Sequence, residues 1–282
     1  MKWNQTALSR KSHTYIKQGI KRLNINKSNP LIAPVLVNSF PKSGTHLLYQ
    51  VIQGIPQLRN YETFLASTPS FTMREQTQKR MVKKISSWVP GEIVRGHVFH
   101  TDLIENTLSE NRCIQLFIYR DPRDVVCSEA HYLGKINRWH RLHGAFKNLP
   151  DDSSRYKLAI SGDIGGKLPV EYQNIKERFN RYKNWIKSPE VFPVKFEDLV
   201  GDNRNETVMG IVNFLMQQIP DVDDDIHEMC LQQIQPEKSH TYRRGGGVSN
   251  WQKRFSPEHK ELFKEVAGNL LIELGYEKDL SW

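Results

Sequence analysis

Cysteine is scarce in this 282-residue chain: Cys113, Cys127 and Cys230 are odd in number, widely spaced and without Cys-x-x-Cys pairing. That spacing excludes a disulfide framework and the usual structural zinc site, and it predicts three reduced thiols. Long apolar runs are missing too. Met1 to Leu23 is basic and polar with no apolar stretch to serve as a secretory core, and no later segment reaches the length of a membrane span. The expected location is the cytoplasm, with no membrane partner. No Pro/Gly/Ser-rich linker, repeat or low-complexity tract divides the chain, so the expectation is a basic leader at 1–30 followed by one domain at 31–282.

Positive charge is what the chain has in excess. Its 40 Lys and Arg against 31 Asp and Glu leave a net charge of +9, which attracts an anionic partner: nucleic acid, an anionic membrane or a phosphorylated nucleotide. Scattered charge that only maintains solubility fits the same figure. A hydrophobic content of 38% and a charged content of 25% are those of a globular protein with a core.

Leu31–Phe40 (LIAPVLVNSF), Glu92–Val94, Cys113–Tyr119 (CIQLFIY) and Val191–Phe196 (VFPVKF) read as short buried strands. Between and after them, His46–Ile52, Glu171–Lys187 and His259–Leu274 carry apolar residues at helical spacing. This alternation predicts an α/β fold: a single domain with a central parallel sheet flanked by helices and ligands bound at the carboxyl ends of the strands. Tyr61–Trp88 and Gly134–Gly166 have no clear period and are read as binding loops.

Three loops carry chemistry. In PKSGTH, Pro41–His46, small residues open a helix directly after a strand, so backbone N–H groups, the Lys42 charge and the Ser43 and Thr45 hydroxyls can converge on an anion. An ordinary capped turn is the bland alternative. In YRDPRDVVCS, Tyr119–Ser128, Arg120 offers a fork for a phosphate and Ser128 a second donor on the following helix; a surface ion-pair cluster is the alternative there. RRGGGVSNWQKRF, Arg243–Phe255, supplies cations and glycines that let backbone approach a phosphate, against the alternative of a plain flexible loop.

Lysine before glycine in PKSGTH is not the order of the nucleoside-triphosphate loop. It resembles the 5′-phosphosulfate loop of the sulfotransferases that use 3′-phosphoadenosine 5′-phosphosulfate (PAPS). The Arg120 and Ser128 segment resembles that family's 3′-phosphate motif, and Arg243–Trp251 its C-terminal Arg-x-Gly-x-x-Gly-x-Trp signature. All three stand in the family's order. The resemblance implies a P-loop-like sulfotransferase fold and in-line transfer of a sulfuryl group from PAPS, without a metal, to a hydroxyl or to an amine or carbamoyl nitrogen of a small molecule. 3′-Phosphoadenosine 5′-phosphate (PAP) is then the product.

By the same resemblance Lys42 stabilises the departing nucleotide, and Ser43, Gly44, Thr45 and His46 hold the 5′ end. Arg120, Ser128 and one of Arg243 or Arg244, with Gly245, hold the 3′-phosphate, and Phe196 of KFEDL stands where relatives carry a tyrosine. His97 in VRGHVF falls on the strand end that supplies the base, with Arg95 at a second cationic position. His46 and His100 are rivals for that role, while His131, His140 and His143 are candidates for the acceptor pocket. Leu47 replaces a tryptophan that stacks on adenine in many relatives.

Soluble bacterial members imply natural-product acceptors, including guanidinium alkaloids of the saxitoxin type. Two other classes fit parts of the sequence: a small-molecule kinase using Asp121 or Asp124 for Mg²⁺, and a basic nucleic-acid-binding protein. The expected partner is a small-molecule acceptor rather than nucleic acid. The oligomeric state is left open.

Overall fold

The computed structural model describes residues 7–24, 31–220, 225–235 and 247–282. All five residues of β1 (Val35–Ser39) are buried, because successive side chains enter opposite layers: Leu36 packs in one core, Val35 and Val37 in the other. The same alternation in β4 (Ile114–Tyr119) sends Phe117 and Tyr119 to the first core, and Ile114, Leu116 and Ile118 to the second. With β2 (Arg59–Ala66), β3 (Glu92–His97) and β5 (Val191–Lys195), they form one parallel sheet in the order β2-β3-β1-β4-β5.

Helices cover both faces. On the first lie α3 (Gln78–Ile85), α4 (Asp102–Glu110), α5 (Pro122–His131), α6 (His143–Lys147), α7 (Asp152–Ser161), α8 (Ile175–Asn180) and α12 (Pro257–Glu273). The second is covered by α2 (Thr45–Ile52), α9 (Phe196–Val200), α10 (Arg204–Met216) and α11 (Ile226–Gln232). The result is a single α/β domain. Parallel pairing puts every strand's carboxyl end on one edge, and β1, between β3 and β4, occupies its middle.

Three elements differ from the sequence expectation. β2 runs from Arg59 into the segment read as the loop Tyr61–Trp88, where a register shift between Asn60 and Phe64, with Glu62 at φ 58°, destroys the alternation that would mark a strand. The helix read over Glu171–Lys187 is shorter: the Asn174/Glu177 capping box starts α8, which gives way to a 3₁₀ turn at Lys183–Ile186. Gly134–Gly166 holds α6 and α7, the latter capped by Asp151 accepting from the Ser154 N–H at 2.7 Å.

The basic leader includes α1 (Ala7–Asn24), which lies along β2. Gln18 Nε2 donates to the Tyr61 carbonyl at 2.8 Å, and Lys21 pairs with the fully buried Glu92 at 2.7 Å. Among the described residues no helix is long and apolar enough to cross a membrane. The three cysteines are free and buried, and burial pushes Cys127 and Cys230 up to about 12.

Candidate active site

The chain leaves β1 through a sharp loop. Lys42 at φ 69° and Gly44 at φ 102° turn it, and α2 starts at Thr45 with its first N–H groups at the helix end. Glycine is required at 44 for a second reason, since an added Cβ would lie 2.5 Å from the Phe196 ring. Ser43 is fully buried, and its Oγ has no hydrogen-bond partner among the described residues. Lys42 Nζ sits 3.8 Å from the Tyr132 ring centroid, and burial, reinforced by Arg120 and opposed by Glu129, brings its pKa down to about 8.

β3 runs beside β1, with Asn38 opposite Gly96, so its last residue, His97, comes against Ser39. His97 Nδ1 lies 3.1 Å from the Ser39 carbonyl oxygen and 3.0 Å from Ser39 Oγ. A carbonyl can only accept, so Nδ1 carries the proton and Nε2 is left as the basic nitrogen. Ser39 Oγ is also 2.5 Å from Thr45 Oγ1, which makes a continuous polar path from the anion loop to the imidazole. Burial, helped by the Lys42 charge, pulls His97 down to about 4, so the ring is neutral at neutral pH.

On the other side of β1, β4 ends at Tyr119 and delivers Arg120. Arg120 is buried; its guanidinium stacks 4.4 Å from the Phe196 ring, and Nη2 donates to the Gly247 carbonyl at 2.9 Å. Its Nε has no partner among the described residues. Phe196 follows β5 and therefore touches both the Gly44 loop and Arg120. Ser128 is half-buried on α5.

Lys42, Ser43, Gly44, Thr45, His97, Arg120 and Phe196 are thus brought together by the adjacent ends of β3, β1, β4 and β5. Partly exposed His46 lies in the first turn of α2, whereas Leu47 is sunk in the core below that helix. Arg95 is turned to an ion pair with Glu62 at 2.5 Å, and His100 to Glu105 at 3.0 Å and the Trp185 ring. His140 and His143 bond backbone at Leu142 and Leu133, and His131 ends α5. Arg243, Arg244 and Gly245 lie outside the described residues. Asp121 is tied to Arg123, and Asp124 to the backbone of Ser249 and Trp251, which leaves both committed to bonds within the protein.

Sequence reasoning missed Ser39, Tyr132 and Phe64. Ser39 was legible as the last strand position before the loop. Tyr132 stands at the start of a wider π-turn (Tyr132–Ile136) after α5, and Phe64, on the irregular strand β2, presents a half-exposed ring edge-on to His97 at 5.2 Å.

Two buried polar atoms without partners among the described residues, Ser43 Oγ and Arg120 Nε, stand just beyond the ends of β1 and β4, each beside cations and helix N-termini. Free donors of this kind at the strand ends of a parallel α/β sheet suit an anionic ligand. The family model of the sulfotransferase domain matches residues 33–275, and the chain belongs to that family. Human sulfotransferase 1C2 is 20% identical over 260 residues, covering 82% of this chain and 81% of the relative. Mouse sulfotransferase SULT7A1 complexed with PAP superposes with a TM-score of 0.57 at 18% identity, over 89% of this chain and 92% of the other. Retinol dehydratase in complex with androsterone and inactive cofactor PAP gives 0.57 at 15% identity, over 88% and 83%. The protein is a PAPS-dependent sulfotransferase, with PAPS as its co-substrate.

Proposed function

We propose that this enzyme sulfates a hydroxyl, amine or carbamoyl nitrogen of a small cytoplasmic molecule, with His97 as base and Lys42 stabilising the leaving nucleotide. The carrying observation is the convergence of the Lys42 loop, His97 and Arg120 on three neighbouring strand ends. The 5′ end is held by Ser43, Gly44, Thr45 and His46, whose hydroxyls and helix-end N–H groups donate to oxygens. Arg120, with Ser128 and one of Arg243 or Arg244 beside Gly245, grips the 3′-phosphate, and Phe196 flanks the nucleotide. Three unpaired buried thiols support a reducing compartment.

Sulfuryl transfer places negative charge on the bridging oxygen as the S–O bond breaks, and Lys42 answers that charge in a partly desolvated setting. His97 Nε2 takes the acceptor's proton, while Nδ1–H to Ser39 fixes the tautomer. The Phe64 ring beside His97 suits a flat acceptor or a cationic one, and a guanidinium alkaloid belongs to the second kind.

The test is an acceptor screen with PAPS, detecting the mass gain of a sulfuryl group, run with Lys42→Ala and His97→Ala. Each substitution is expected to lower kcat about 10²-fold or more with the fold retained. Full turnover in His97→Ala moves the base elsewhere, and a wild-type protein that does not bind PAP removes the reading.

A further inference from the structure

Charge alone makes Asp124 an odd neighbour for a phosphate grip, since a carboxylate beside Arg120 repels the anion that Arg120 attracts. Asp124 is nonetheless 1% exposed, and its Oδ2 lies 3.4 Å from Arg120 Nη2. Both oxygens are in use by another part of the chain. The Ser249 N–H donates to Oδ2 at 2.8 Å, and the Trp251 N–H donates to Oδ1 at 2.9 Å.

These bonds reach across more than a hundred residues, from the start of α5 to the end of the glycine-rich segment. Arg120 adds a third fastening through the Gly247 carbonyl. Ser249 is held at φ 59°, a left-handed conformation that a serine adopts at a cost unless its surroundings fix it. Beyond the loop, the Trp251 ring lies 3.9 Å from the Arg123 guanidinium, which is 4.5 Å from Trp282 and paired with Asp121 and Glu277.

We propose that Asp124 is a positioning residue for nucleotide binding: its carboxylate ties the backbone at Ser249 and Trp251 to the fork of Arg120, which the Gly247 carbonyl also holds, so that Arg120 is aimed at the phosphate. This rests on the reading of Arg120 as a ligand of the 3′-phosphate. The charge argument and the positioning argument give opposite signs. Removing an anion should tighten PAP binding if charge governs, and weaken it if position governs.

Asp124→Asn keeps the shape but exchanges one accepting oxygen for an NH₂ that faces an N–H. The expected result, by calorimetry, is a Kd for PAP raised about tenfold or more, and a KM for PAPS raised in step. kcat should change less than about threefold, because Lys42 and His97 keep their contacts; a purely structural role would not produce that split. Unchanged or tighter PAP binding in the variant, with normal binding by wild type, overturns the role of Asp124 alone. A wild-type protein that binds no PAP removes the nucleotide grip and the proposal with it.

Should the variant not fold, hydrogen exchange in the unaltered protein decides. The Ser249 and Trp251 amides are expected to be protected before PAP is added, and exchange at the rate of free peptide overturns the proposal.

Discussion

Lys42 and His97 are both pulled down by burial, yet pH affects them in different ranges. His97, near 4, stays an uncharged base through neutrality, so the acid limb of kcat/KM should appear only as the solution approaches about pH 4, with a plateau from about pH 6 to 7 and an alkaline fall as Lys42 loses its charge near 8. An acid limb centred near 6.5 would contradict this environment for the imidazole. Lys42, near 8 rather than 10.5, loses its charge on the alkaline side. Between those two values the unfolded chain holds more protons on this group than the folded one, so its contribution to stability rises with pH. Binding works the other way: an arriving anion restores the ammonium, and PAP binding above about pH 8 should take up a proton. Calorimetry in buffers of different ionisation enthalpy measures that uptake.

Among the elements, α1 makes the clearest demand on stability. Glu92 has no exposed surface, and its oxygens are satisfied by Lys21, by the Thr63 hydroxyl and by the Val89 N–H at 2.9 Å. Lys21→Ala leaves a buried carboxylate short of its cation and should lower the unfolding free energy by about 1–3 kcal/mol in chemical denaturation, with little effect on PAP binding. The basic character of this stretch was plain in the sequence, but its docking was not, because its partners, Tyr61 and Glu92, belong to strands far along the chain.

Legibility followed the same division elsewhere. β1, β4 and β5 announced themselves because each is a short apolar run, and the Pro41–His46 and Arg120–Ser128 segments stood out by the chemistry of their residue types, whereas His97 was singled out through the family resemblance. β2 was hidden by its bulge, and α8 was overextended because aromatic spacing continued past its end into the 3₁₀ turn. Ser39 meets the His97 ring, and Asp124 the backbone of Ser249 and Trp251, both far along the chain, a relation that no local spacing encodes.

At the scale of the molecule, the candidate site is assembled from segments that begin at Ser39 and end beyond Gly247, all referred to one sheet edge. A ligand that bridges them binds only the folded state. PAP at about 100 times its Kd should add about 2.7 kcal/mol to the unfolding free energy, raising Tm by about 5 °C in a thermal melt. An unchanged melting curve at saturating PAP would mean that the loops do not share one ligand. The central place of β1 also bears on how the protein is made. Its neighbours β3 and β4 are synthesised well after it, and the fastening at Trp251 later still. A nascent chain that stops short of Trp251 therefore lacks both backbone partners of Asp124, so this fastening closes long after the central strands have been made.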